Sequence, residues 1–364
     1  FLSQVRELRV DEILKKFKSV RHEDLNTFTR QLYSLQKAGV PLLGSLESIA
    51  SQTRDRYFKL VIEEVAADIK AGMSFSESLS KQPQVFDGIY ISMIKAAETG
   101  GALSEILDRL TNLIEQEIDT KQRIKSATRY PLIAFCALIL GFVVVVAFVI
   151  PRFATLYSQF DTLLPLPTRI LIAVNVAFQK YWHICLLVAV GGGFGFSRFI
   201  KSKFGRPLWD NFKLRIPVLG KLLSMLIMSR FARVTAILMR SGTPILEVLN
   251  LVSKTSGNII ISRAVGNIRE SVNEGKGMSE PMRFTSLFPP VVVQMVAIGE
   301  QTGKVDELLL GVADYYDREA GYLIRNLTTY IEPILILVLA GMVLIMALGI
   351  FMPMWNLIKV FSPG

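Results

Sequence analysis

The sequence predicts an all-α membrane protein, with two homologous cytoplasmic six-helix bundles in tandem and three transmembrane helices. Three observations carry this. Two runs of nineteen uncharged residues, 132–150 and 334–352, are each bracketed by prolines twenty positions apart, Pro131 with Pro151 and Pro333 with Pro353. Nineteen helical residues reach about 28 Å at roughly 1.5 Å per residue, near the hydrocarbon thickness of a bilayer. Elsewhere apolar residues recur at helical spacing, and no segment alternates as a half-buried strand would. Finally, the first half of the chain repeats in the second. Phe28, Arg30, Leu35, Gly39, Pro41 and Leu46 recur as Phe231, Arg233, Leu238, Gly242, Pro244 and Leu249 at offset 203, and Ser76 and Glu77 as Ser279 and Glu280. Met93, Glu98, Gly101, Glu105, Leu107 and Pro131 recur as Met295, Glu300, Gly303, Glu307, Leu309 and Pro333 at offset 202.

Taken in order, residues 1–22 are of mixed charge with no apolar core, so they read as a lead-in segment and not as a signal peptide. The chain starts at Phe1 and not at Met, so a preceding piece is expected. Bundle 1 covers 23–130. Leu25, Phe28, Leu32 and Leu35 share one helical face, Gly39 stops that helix and Pro41 is placed to start the next. Further helices are predicted over about 41–53, 57–71, 74–81, 87–98 and 102–130, with breaks at Gly72, Pro83 and the Gly100, Gly101 pair. The first span, 131–151, is entered directly from the last of these helices. A charge-poor stretch, 152–180, reads as a periplasmic loop with an interfacial helix over 170–178, because Gln179, Lys180 and His183 would otherwise lie in lipid. The second span, 181–199, has Tyr181 and Trp182 at one end and Arg198, Lys201, Lys203 and Arg206 at the other. A basic linker (200–225), bundle 2 (226–332), the third span (333–353) and a periplasmic tail (354–364) complete the chain.

Charge fixes the expected topology. Residues 1–131 carry 19 Lys/Arg against 18 Asp/Glu, whereas 198–332 carry 18 against 12, where most of the net +10 resides. There is no dense basic tract interleaved with aromatics, so nucleic acid is not an expected partner, and the cluster 198–215 reads as a membrane flank facing lipid. The positive-inside rule puts both bundles in the cytoplasm and the C-terminus outside. The second span, which has no counterpart in the repeat, returns the chain so that both copies share one side. The repeats are then related by a pseudo-axis along the membrane normal.

The search for chemistry is mostly negative. No GxxxxGK[ST] is present, and the Gly191, Gly192, Gly193, Gly195 cluster lies in an apolar run, where it favours close helix packing. His22 and His183 are isolated, Cys136 and Cys185 both lie in apolar runs, and no nucleophile–base set is visible. The first and third spans hold no charged residue, which argues against an ion path. Glu115 and Asp119, at i, i+4 with Glu117 nearby, are the one candidate for a divalent cation, Ca2+ or Mg2+, at an oligomer contact; the bland reading is a solvated acidic face. Glu98 and Glu300 stand at duplicated helix junctions with Gly101 and Gly303. Either these are glycine C-caps, or they form a rigid corner that presents a carboxylate to a partner.

Together these residues resemble the inner-membrane platform protein of type IV pilus assembly and type II secretion, the PilC/GspF family. The resemblance rests on FTRQLYSLQKAGVPLLGSLE and its echo FARVTAILMRSGTPILEVL, on AAETGGALSEIL with IGEQTGKVDELL, on RIKSATRYP before the first span, and on VIPRF and LPLPT after it. Ala97, Gly100 and Thr128 depart from the family pattern. The resemblance implies a non-enzymatic homo-oligomer of the bacterial inner membrane that needs no cofactor. It would couple a cytoplasmic hexameric ATPase to pilins or pseudopilins, beside other inner-membrane assembly proteins. The motif positions that would carry structure or contacts are Gly39, Pro41, Glu98, Gly101, Tyr130, Pro131, Pro151, Gly242, Pro244, Glu300, Gly303, Glu332, Pro333 and Pro353. A pilus is favoured over a secretion system. The alternative from another class is a small transporter, for which only Asn175, Lys180 and His183 offer polar groups at mid-membrane.

Overall fold

A computed structural model describes residues 20–149, 151–152, 166–202, 204–285 and 287–361. The lead-in segment 1–22 and the stretch 152–180 therefore fall partly outside the described residues. Every regular element among the described residues is helical. The chain divides into two compact units: one combines residues up to Gln122 with Gly220–Gly321, the other Arg123–Leu219 with Tyr322–Gly364.

In the first unit, bundle 1 comprises α1 (His22–Lys37), α2 (Leu42–Gln52), α3 (Arg56–Lys70), α4 (Phe75–Ser80), α5 (Gly88–Gly100) and the first part of α6 (Leu103–Val144). Three of these starts have a plain local cause. Pro41 precedes α2, the Asp55 carboxylate accepts the Phe58 N–H (3.0 Å) ahead of α3, and Asp87 accepts the Tyr90 N–H (2.8 Å) ahead of α5. Phe28 and Leu32 on the α1 stripe are buried, and Phe28 packs edge-on to Phe58 (5.6 Å) and tilted against Phe86 (5.9 Å).

Bundle 2 repeats the plan with α9 (Leu219–Arg240), α10 (Ile245–Thr255), α11 (Ile259–Asn273), α12 (Ser279–Arg283), α13 (Pro290–Thr302) and α14 (Val305–Arg325). The Phe28–Phe86 contact returns as Phe231 on Phe288, at 5.2 Å. The one-residue slip in the repeat falls in a single loop. Residues 81–87 join α4 to α5, whereas 284–289 join α12 to α13. The two bundles are not separate beads, because their buried residues form one continuous cluster. α5 meets α10 so closely that a Cβ at Gly88 would lie 3.3 Å from Leu251, and Arg230 of α9 pairs with Glu117 of α6 at 3.2 Å.

The second unit holds the apolar ends of α6 and two further long helices, α7 (Leu166–Lys201) and α15 (Leu327–Phe361), with the short α8 (Gly205–Arg215). Prolines do not end these helices: Pro131 lies inside α6, and Pro333 and Pro353 lie inside α15. Proline already has a helical φ and forfeits one backbone bond, which neighbouring groups and local adjustment offset in an apolar setting. α6 passes at Val145–Val149 into a π turn, whose Val146 packs with Phe142 and Ile172. Three differences from the sequence expectation follow. The helix of copy two is interrupted at Asn326, where the first runs on unbroken; α15 continues past Pro353 to Phe361; and 166–201 is one helix, with no division between 170–178 and 181–199.

Among the described residues, three helical stretches are long and apolar enough to cross a membrane: Leu103–Phe148, Leu219–Arg240 and Val305–Leu348. The middle one does not belong with the others. Over half of its apolar window is buried inside the protein, against 11% and 0% for the outer two. It carries Phe231, Ala232, Val234 and Leu238 of the bundle core and a buried Arg233. Its hydropathy is that of a core helix.

Candidate functional site

Two duplicated constellations emerge from this frame. The first surrounds Glu98 and Glu300. Near the C-terminal end of α5, the Glu98 carboxylate reaches back 22 residues to the start of α4. There it accepts hydrogen bonds from the Phe75 N–H (2.5 Å), the Ser76 N–H (3.3 Å) and the Ser76 hydroxyl. Glu300 does the same at the start of α12, accepting from the Met278 N–H, the Ser279 N–H (3.3 Å) and the Ser279 hydroxyl (2.6 Å). A carboxylate is the fitting group, since the first N–H groups of a helix lack partners of their own. Each glutamate thus staples a short helix to the next. Gly101 (φ 68°) and Gly303 (φ 71°) then end α5 and α13 in the left-handed conformation that side chains disfavour.

The two copies differ in support. Ser74 forms a capping box with Glu77 at the start of α4. Gly277 takes the equivalent place before α12, where a Cβ would come within 2.9 Å of both Glu300 oxygens, and α12 has no side-chain cap of its own. Glu300 therefore acts alone. Glu98 is the more open of the pair and faces a groove lined by Ser74, Glu77, Ser80, Lys95 and Thr99.

The second constellation ties the first helix of each bundle to its last. Arg30 pairs with Glu115, which also accepts from the Asn26 amide (3.3 Å). In copy two Arg233 bridges Asp314 (2.8 Å) and Asp317 (2.6 Å), and the Ser229 hydroxyl donates to Asp317. Glu115 and Asp317 are equivalent at offset 202, so the clamp is duplicated although the carboxylates differ in length. It is shallow in copy one, with the Arg30 side chain 62% exposed, and deep in copy two, with Arg233 at 11%.

These placements bear on each predicted residue. Glu115 is engaged by a guanidinium and Glu117 by Arg230, so a cation at this face would compete with two arginines. Asp119 is exposed on the same helix and also has an interaction partner. Among the described residues, no group of three or more His, Cys, Asp or Glu is arranged to hold a metal. Gly39 and Gly242 turn the chain at φ 79° and 81°, and Pro41 and Pro244 precede α2 and α10. At the entries to the outer apolar helices Tyr130 is exposed and Pro131 buried, whereas Glu332 and Pro333 are exposed. Pro151 is half-buried, and Pro353 lies within α15.

Sequence reasoning missed the arginines as a functional pair, although Arg30 and Arg233 were visible in the repeat. A buried polar contact was also missed. The Tyr90 hydroxyl meets Thr29 at 3.2 Å, and burial pushes the Tyr90 pKa up, keeping it neutral. Its counterparts in copy two are Val292 and Ala232, so an apolar pair fills the same place and the contact belongs to packing.

Comparison with known proteins agrees with the duplication. The family model of type II secretion system protein F matches this chain twice, over residues 28–151 and 231–353. A type IV pilus assembly protein PilC of Thermus thermophilus is 36% identical over 350 residues, covering 93% of this chain and 84% of that protein. A second PilC, of Myxococcus xanthus, is 35% identical, covering 95% and 83%. A type II secretion system protein F of Pseudomonas aeruginosa is 30% identical, covering 92% and 82%.

Proposed function

We propose, from the premise that this chain belongs to the type II secretion system protein F family, that it is an inner-membrane platform coupling a cytoplasmic hexameric ATPase to the movement of pilins. The observation that carries the reading is the pair of family matches on two homologous bundles, each leading into an apolar helix. A pilus is favoured over secretion because the two relatives with the higher identities are named for type IV pilus assembly. On this reading the bundles lie in the cytoplasm and the C-terminus in the periplasm. α7 is the return crossing; its Leu187, Val188, Val190 and Phe194 are exposed, as lipid-facing residues would be. The protein works as a homo-oligomer and performs no catalysis of its own. Duplicated bundles whose first and last helices are tied by ion pairs suit a part that transmits force.

The test is genetic. Removing the gene should abolish surface pili and leave secretion of folded proteins intact, with recovery from a plasmid copy. Loss of secretion with pili retained would move the assignment to a secretion system. Loss of neither would refute the platform role.

A further inference from the structure

The short helix α8 and its approach from α7 form a feature that the platform reading leaves unexplained. Phe204, Leu208 and Phe212 follow one another at i, i+4, i+8, so they line one face of the helix. They are 86%, 64% and 55% exposed, a continuous apolar stripe open to the surroundings. A stripe of this kind on a helix is paired with something.

Two observations say what. The first is position. Trp209, beside the stripe, packs edge-on against Phe196 of α7 at 5.3 Å and stacks on Phe212 at 5.8 Å. The corner between the helices is tight: the Ser202 hydroxyl accepts the Gly205 N–H at 3.0 Å and donates to the Phe199 carbonyl at 2.7 Å, and a Cβ at Gly205 would fall 2.1 Å from that carbonyl oxygen. α8 is thereby folded back against the last turns of α7, beside the exposed Phe194, Phe196 and Phe199. The second is charge. Residues 198–215 contain six Lys/Arg and a single acid, Asp210. That acid is buried and held by Lys213 at 2.7 Å, while Arg198, Arg206 and Arg215 are exposed.

From the juxtaposition of this apolar stripe, the indole at the end of α7 and the surrounding cations, we infer that α8 lies in the bilayer interface on anionic lipid headgroups. Phe204, Leu208 and Phe212 insert below the headgroups, as the apolar faces of interfacial helices do. Trp209 sits at the interfacial level. Arg198 at the end of α7 and Arg215 on the stripe side of α8 meet lipid phosphates, each juxtamembrane cation adding attraction to an anionic surface, while Arg206 lies on the opposite face of α8. The corner at Gly205 fixes the angle at which the helix leaves the membrane-crossing segment.

The inference rests on α7 crossing the bilayer, and one experiment separates the two. The full-length protein, with Cys136 and Cys185 replaced by alanine, carries a single environment-sensitive label at position 187, 206, 208 or 212. Each variant is reconstituted into vesicles of phosphatidylcholine, with or without one-third phosphatidylglycerol, containing spin-labelled lipids. The Leu187→Cys label should be quenched by deep spin labels, and failure there overturns the crossing of α7. Labels at Leu208→Cys and Phe212→Cys should be quenched by shallow spin labels at least threefold more than at Arg206→Cys, and more in the anionic vesicles. Quenching at 187 with none at 208 and 212 overturns the interfacial placement of α8, whether those labels are open to an aqueous quencher or covered by protein. Equal quenching in both vesicle types overturns the role of anionic lipid.

Discussion

Replacing Glu300 by alanine removes the one side chain that caps α12. Three donors lose their acceptor: the Met278 and Ser279 N–H groups and the Ser279 hydroxyl. A hydrogen bond to a charged group contributes about 1.5–3 kcal/mol, and bonds that share one acceptor do not add. The site is half-buried, so water recovers part of the loss. The expected cost is about 2–3 kcal/mol. The matching Glu98→Ala change removes the same bonds from a more open site where the Ser74–Glu77 capping box survives, and it should cost about 1 kcal/mol. Amide hydrogen exchange on the intact protein resolves the two. Exchange over residues 275–285 should accelerate roughly 30–100-fold in Glu300→Ala, since each 1.4 kcal/mol is a factor of ten. Over residues 72–82 in Glu98→Ala the gain should stay under about tenfold. An equal effect in both copies, or a larger one at Glu98, would refute the claim that the glutamates cap unequal sites. Glu300→Gln, which keeps one oxygen acceptor, should fall between.

Arg233→Met leaves Asp314 and Asp317 facing each other without their cation and should destabilise the protein by about 1–3 kcal/mol, whereas Arg30→Met in the exposed pair should cost under about 1 kcal/mol; paired thermal unfolding would show the contrast. Gly205→Ala forces the Phe199 carbonyl aside and should cost about 1–3 kcal/mol, and unchanged stability would deny the tight corner. Val218, a β-branched residue at φ 66°, should accept glycine with a gain of up to about 1 kcal/mol, while a loss would mean that its side chain matters more than its strain. Asp306 has its pKa lowered chiefly by a hydrogen bond from Arg240 at 2.9 Å, so its contribution is present above the usual carboxylate range and disappears as pH falls through the folded value. Arg240→Gln should therefore lower stability by about 0.2–1 kcal/mol at pH 7, and the difference should shrink as the pH falls below the usual carboxylate range.

The parts of the fold legible in the sequence were those set by neighbours along the chain. Gly39, Pro41, Gly101 and their copies mark helix ends because left-handed turns and proline starts are decided within a few residues. The repeat made each such mark doubly visible. What the sequence left open at Glu98 and Glu300, a glycine corner or a carboxylate shown to a partner, turns on contacts 21–23 residues away, through which the carboxylates cap α4 and α12, Glu98 from the more open position. The clamp at Arg30 and Glu115 spans 85 residues and was equally hidden, because local spacing displays only its acidic side. Proline misled in the other direction. Pro353 is a reasonable stop by local rules, yet α15 runs through it to Phe361. Hydropathy alone would nominate Leu219–Arg240 as a crossing, but the recurrence of Phe28, Arg30 and Leu35 as Phe231, Arg233 and Leu238 marks it as a bundle helix, and the burial of its apolar window agrees.

The most direct test of the platform role is binding of the intact protein, in lipid nanodiscs, to the purified assembly ATPase of its own system, followed by cross-linking. Saturable binding is expected, with cross-links confined to residues 20–122 and 220–321 and none to the apolar stretches 132–149 or 334–348. Absence of binding to an ATPase shown to be active would contradict the platform role.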